Sequence, residues 1–166
     1  MTVTDELVAN NEAYSAQFDK GELPLPPAKK VAVVACMDAR LDPARVLGLE
    51  EGDAHVIRNA GGVATDDALR SLVISNRLLG TDTAYVVGHT QCGMISFTNE
   101  ELYTHLEHDG VEARWLDFLP FTEIEASVRA SVLRLRETPL LPDEYRVEGF
   151  VLDVATGRLE PVEAGS

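Results

Sequence analysis

After the Pro-rich stretch that ends at Pro27, apolar positions gather into short runs that stop at glycine, asparagine or acidic residues. Val31 to Ala35 is apolar on both faces and β-branched at three of its five positions, which predicts a central strand in a sheet covered on both sides. Ala54 to Arg58 predicts a second strand and Thr83 to Val87 a third. Residues 65–79 have helical spacing, with Thr65 as the cap, Asp66 and Asp67 at the positive end of the helix dipole and Gly80 as the stop. Residues 99–108 and 121–136 predict two more helices, the second with Ile124, Val128, Val132 and Leu135 along one side. Strands around Val147–Val154 and Arg158–Val162, joined by a turn at residues 155–157, predict a closing hairpin.

Upstream, residues 4–18 place Leu7, Val8, Tyr14 and Phe18 among polar neighbours, which predicts a helix opening after Thr4 as its N-cap. Gly21 to Pro27, with three prolines, ends it. Its apolar stripe has to be buried on its own domain or on a second subunit. The pattern as a whole predicts an α/β fold: a mainly parallel central sheet covered by helices on both faces, with an antiparallel C-terminal hairpin and an N-terminal helical arm. Residues 1–166 read as a single domain, with 1–27 as the helical arm and Pro-rich link.

Charge changes the choice of partner. A net charge of −14 repels phosphate backbones and anionic lipid surfaces, so neither nucleic acid nor membrane is expected as a partner. No segment approaches the ~20 apolar residues of a membrane span, and the N-terminus lacks a basic region followed by an apolar one. A cytoplasmic protein is expected. With only Cys36 and Cys92, a disulfide framework is not the basis of the fold.

Both cysteines and one histidine fall at strand ends. Cys36 follows the first predicted strand, and His89 and Cys92 follow the third, where open α/β sheets place their ligands. Two sulfurs and one nitrogen suit zinc, and three protein ligands leave a fourth tetrahedral position open for water. Each cysteine taken alone also reads as a small buried hydrophobe. Asp38 and Arg40 alternate with Met37 and Ala39, so an extended loop turns both toward the side of Cys36. They read either as a fourth ligand held off the metal by a guanidinium or as a surface ion pair.

Cys36-Met-Asp38-Ala-Arg40 followed by Gly88-His89-Thr-Gln-Cys92-Gly93 resembles the signature of the β-class carbonic anhydrases. The similarity covers most of residues 29–162, through Arg58-Asn59-Ala-Gly61-Gly62, the segment Ser131 to Pro142 and the hairpin Gly149 to Gly157. The length resembles the compact microbial branch of that family, which also includes carbonyl sulfide hydrolases. The resemblance implies Cys36, His89 and Cys92 as zinc ligands and Asp38 with Arg40 as a dyad that gates the fourth position. It implies hydration of carbon dioxide by water activated on zinc, in a small apolar pocket near Gly93 and Met94, in a homodimer or a dimer of dimers. Two positions depart from the pattern: Gln91 stands where many compact members carry an acid, and Met94 where plant-like members carry a second glycine. Carbonyl sulfide, linear like carbon dioxide, is the alternative substrate. A non-catalytic zinc or redox protein is the rival of a different class, and the Asp38–Arg40 pair speaks against it, since a storage site gains nothing from a gate.

Overall fold

The computed structural model describes residues 1–165. Four parallel strands, β1 (Val31–Cys36), β2 (Ala54–Asn59), β3 (Thr83–His89) and β4 (Arg146–Leu152), and one antiparallel strand, β5 (Leu159–Val162), form a single sheet. The spatial order is β2-β1-β3-β4-β5. Chain order reverses at β1, which pairs with β2 on one side and β3 on the other. Beyond the carboxyl ends of β1 and β3 lies the crevice where such sheets bind ligands.

Alternation within β1 and β3 sends residues to two separate cores. Ala32, Val34, Ala84 and Val86 face α3 (Asp66–Leu79) and α5 (Ile124–Glu137), meeting Ala68, Leu72, Val128 and Val132. Val33, Ala35 and Val87 face the other way, toward α2 (Pro43–Leu47), Leu41, Met94 and Phe97. Helices therefore cover both faces, as the apolar runs predict. Gly88 and Gly149 allow α5 to come close: a Cβ on either would sit 2.7 Å from the Val128 side chain. The remaining helix, α4 (Asn99–His108), has the bounds that the spacing predicts, with Thr98 and Glu101 forming a capping box.

Some boundaries differ from the expectation. The first helix, α1, is Val3–Ser15, capped by Thr2 rather than Thr4, because the backbone N–H of each of Thr2 and Asp5 donates to the other's side-chain oxygen in a capping box. Phe18 lies beyond its end. Helix α5 begins at Ile124, not residue 121, since Phe121 and Thr122 are still in the loop after Pro120. Strand β4 runs one residue earlier and stops at Leu152, where Asp153 turns the chain by accepting from Ala155 N–H. Helix α2 has no counterpart among the predicted elements; Asp42 caps it and Pro43 opens it. No described helix is long and apolar enough to cross a bilayer.

Candidate metal centre

The three residues that the sequence places at strand ends come together. Ligand atoms of Cys36, His89 and Cys92 all lie within 4.8 Å of one another, and all three residues are buried. The two sulfurs are 3.9 Å apart. Nδ1 of His89 is 2.9 Å from the Thr90 carbonyl, which can only accept, so Nδ1 carries the proton and Nε2 presents its lone pair. Nε2 is buried and makes no hydrogen bond to any described residue. An orphaned buried nitrogen facing two sulfurs fits a metal ion, with the Thr90 carbonyl fixing the ring as an outer partner.

The thiols support the same fit. Burial raises Cys36, but contact with His89 and the backbone N–H groups of Asp38 and Gly61 outweigh it, bringing the thiol down to about 7. Burial raises Cys92, with the Met94 N–H opposing and the nearby Cys36 adding to the rise. His89 is raised by its contact with Cys36 against the opposing effect of burial. Without a cation the pocket holds one thiolate more readily than two, and a divalent cation removes that repulsion. The soft donor set, two sulfurs and an imidazole, suits zinc.

Local backbone explains the placement. Gly61 has φ +84° and sends its N–H to Cys36, a conformation that costs glycine nothing. At Gly62 a Cβ would lie 2.8 Å from the Cys36 nitrogen and 3.1 Å from the Val87 carbonyl, rigid backbone on both sides. Asn59 closes this turn, accepting from Val63 N–H at 2.9 Å and donating to the Val63 carbonyl at 2.8 Å. From β2, Arg58 donates to the carbonyls of Cys36, Asp38 and Leu41 at 2.8–3.0 Å and so fastens the loop that carries Cys36 and Asp38.

Asp38 and Arg40 do pair. Arg40 donates Nε to Oδ1 at 3.0 Å and Nη2 to Oδ2 at 2.8 Å, and its backbone N–H reaches Oδ1 at 2.9 Å. Arg40 holds Asp38 well below the usual carboxylate range. Asp38 Oδ2 lies 3.8 Å from His89 Nε2, so this is a carboxylate at the edge of the candidate metal pocket rather than an isolated surface pair. The guanidinium also donates to Gln91, at Oε1 and at the backbone carbonyl.

Gly93 is exposed and opens a single 3₁₀ turn, Gly93–Ile95. Met94 is buried in that turn among core residues, with its side chain 3.2 Å from where a Cβ on Gly61 would be. Its carbonyl accepts from Phe121 N–H at 3.3 Å, and beyond Phe121 a groove of about 600 Å³ is lined by Ile95, Phe97, Pro120 and Ala126 among others.

Residues 31–119 match the family model described as carbonic anhydrase. Over 163 residues the chain is 48% identical to β-carbonic anhydrase 1 of Mycobacterium tuberculosis (strain H37Rv), covering 98% of this chain and 99% of that protein. The chain belongs to the β-carbonic anhydrase family. A crystal structure of the carbonic anhydrase from Streptococcus mutans superimposes with a TM-score of 0.93 at 47% identity, over 98% of this chain and 99% of that one. A carbon disulfide hydrolase of Acidianus is 33% identical over 89% of this chain and 83% of its own length. This β-carbonic anhydrase is thus an enzyme of the lyase type, with a relative named for sulfur chemistry.

Arg58 and Gln91 are the residues whose contacts sequence reasoning missed. Arg58 did carry a signal, standing directly before Asn59 and the glycine pair. Gln91 carried only its departure from the family pattern.

Proposed function

We propose that this protein catalyses the reversible hydration of carbon dioxide to bicarbonate and a proton at a zinc ion held by Cys36, His89 and Cys92. The observation that carries this reading is the orphaned His89 Nε2, facing two sulfurs, with the Asp38 carboxylate 3.8 Å away and restrained by Arg40. Zinc bound there supplies the Lewis acidity that lets a water ionise near neutral pH. Asp38, at the edge of the three-donor cluster, would accept a hydrogen bond from the reacting water and orient it for attack. Because Arg40 holds Asp38 well below the usual carboxylate range, Asp38 is a poor place to leave the released proton, which goes to buffer. Carbon dioxide offers no charge, and the wall formed by Met94 and Phe121, with the backbone at Gly93, supplies an apolar approach.

The second reading is hydrolysis of a linear sulfur analogue, carbonyl sulfide, to hydrogen sulfide and carbon dioxide on the same residues. The carbon disulfide hydrolase relative favours keeping it. We further propose a cytoplasmic homodimer or dimer of dimers, with residues 1–27 as an arm on a single domain. Helix α1 buries none of its own residues on this chain, and Val3, Leu7, Val8 and Tyr14 are exposed, so a second copy is the surface that can cover them.

Metal analysis tests the ligand set. His89→Ala and Cys92→Ser each leave two protein donors, so both variants are expected to lose most zinc and all measurable turnover. Near-stoichiometric zinc in either variant overturns the assignment.

A further inference from the structure

Gln91 is an exposed loop residue with an unusual backbone. Its φ is +56°, in the left-handed region that side chains other than glycine and asparagine seldom adopt. That conformation directs the Gln91 carbonyl to Arg40 Nη2 at 3.0 Å. The side chain then returns toward the same group, with Oε1 3.3 Å from Arg40 Nη1. Arginine only donates, so the amide oxygen must face it.

Arg40 is held on two edges. Its Nε and Nη2 face Asp38, while Nη1 and Nη2 face Gln91. Gln91 sits between Thr90, which orients the His89 ring, and Cys92, one of the sulfur donors. The guanidinium thereby ties the loop bearing Asp38 to the segment that joins His89, at the end of β3, to Cys92. An arginine held by Asp38 alone would be free to swing with it, because Arg40 is 49% exposed. A second anchor on the opposite loop prevents that.

We propose that Gln91 is a positioning residue for the proposed hydration reaction: its side-chain oxygen fixes Arg40 so that Asp38 stays off the fourth metal position. The inference rests on the carbonic anhydrase reading of the site. The feature that matters is an acceptor at Nη1, not bulk and not backbone shape. Loosening Arg40 lets the carboxylate occupy the open position for part of the time, which removes a fraction of molecules from turnover. Carbon dioxide does not compete for that position and binds both fractions alike, so the inactive fraction lowers kcat and leaves KM unchanged.

Three variants separate the possibilities. Gln91→Ala removes the acceptor and keeps a Cβ at the left-handed position. Gln91→Gly removes the acceptor and relieves the backbone. Gln91→Glu keeps an acceptor of the same reach. Each is loaded with zinc, its metal content measured, and its kcat and KM for carbon dioxide determined. The Arg40 Nε–H resonance of the zinc-loaded protein is recorded in parallel by proton–nitrogen NMR. The Ala and Gly variants are expected to keep one zinc per chain and an unchanged KM, with kcat down about three- to tenfold, the effect of one charge-assisted hydrogen bond. Their Arg40 resonance should shift or broaden, whereas the Glu variant keeps both the resonance and the rate. The proposal is overturned if Ala and Gly match the parent in kcat and resonance, or if Glu is as impaired as Ala. It is equally overturned if the loss follows the zinc content. Should the zinc-loaded parent turn over no carbon dioxide, the functional reading fails instead, and the Arg40 resonance alone decides whether Gln91 positions that side chain.

Discussion

Replacing Arg40 by Ala tests whether its pairing with Asp38 serves the reaction. The substitution deletes two charge-assisted hydrogen bonds to Asp38, at 3.0 and 2.8 Å, and leaves the one from the backbone N–H. Such bonds are each worth about 1.5–3 kcal/mol when shielded. The Arg40 side chain is 49% exposed, so water recovers a large part, and about 1–2 kcal/mol is left for this two-point pair. In the proposed mechanism that free energy favours the position of Asp38 off the metal, so losing it shifts the balance toward the metal by about 5- to 30-fold. The carboxylate is already 3.8 Å from His89 Nε2, close enough that rotation of its side chain brings it to the fourth position. Zinc is therefore expected to stay bound, stability to change by no more than about 2 kcal/mol, and the steady-state rate to fall by up to that factor. Asp38→Asn is also expected to keep zinc and to lose the charged acceptor proposed to orient the reacting water, so its rate should fall as well. The assay is zinc content, unfolding by denaturant and steady-state hydration for both variants. Wild-type rates in both, with full zinc, refute a catalytic role for the pair.

Two further outcomes follow from the same geometry. In the metal-free protein His89 and Cys92 hold protons above their ordinary values, and zinc needs both sites deprotonated, so affinity falls as pH falls. Cys36, at about 7, gains its proton in the same range, so chelator competition from about pH 8 to about pH 6 should show a loss of about ten- to a thousandfold per pH unit, for one to three protons displaced per ion, and a flat profile contradicts it. Light scattering at micromolar concentration should give at least a dimer, and deleting residues 1–27 should weaken it, since the exposed stripe of α1 is what a second copy covers; a monomeric mass for the full chain refutes the proposed arm.

The fold was legible where short-range chemistry decides structure. The apolar run at Val31, the Thr65 cap with its acidic first turn and the Gly80 stop each act within a few residues, and the structure follows them. Helix α2 was not legible from periodicity because its five residues make little more than one turn, though Asp42 before Pro43 is a start signal. At α1 two threonines compete, and the reciprocal bonds between Thr2 and Asp5 favour the earlier one. In the site, Cys36, His89 and Cys92 could be found because parallel strands bring their carboxyl ends to one edge. The pairing of Asp38 with Arg40 is local and showed in the alternation. The reach of Arg58 to the Cys36 carbonyl, and of Arg40 to Gln91, depends on how separate loops meet across the sheet, which neither spacing nor charge encodes.

Hydration and hydrolysis measured side by side on one preparation of known zinc content address the function most directly. Purified protein is assayed against carbon dioxide by stopped flow and against carbonyl sulfide by release of hydrogen sulfide, and the two specificity constants are compared. One zinc per chain, with carbon dioxide the preferred substrate, is the outcome predicted. Stoichiometric zinc with a higher specificity constant for carbonyl sulfide would contradict the substrate assignment, and no turnover of either gas would contradict the enzyme mechanism itself.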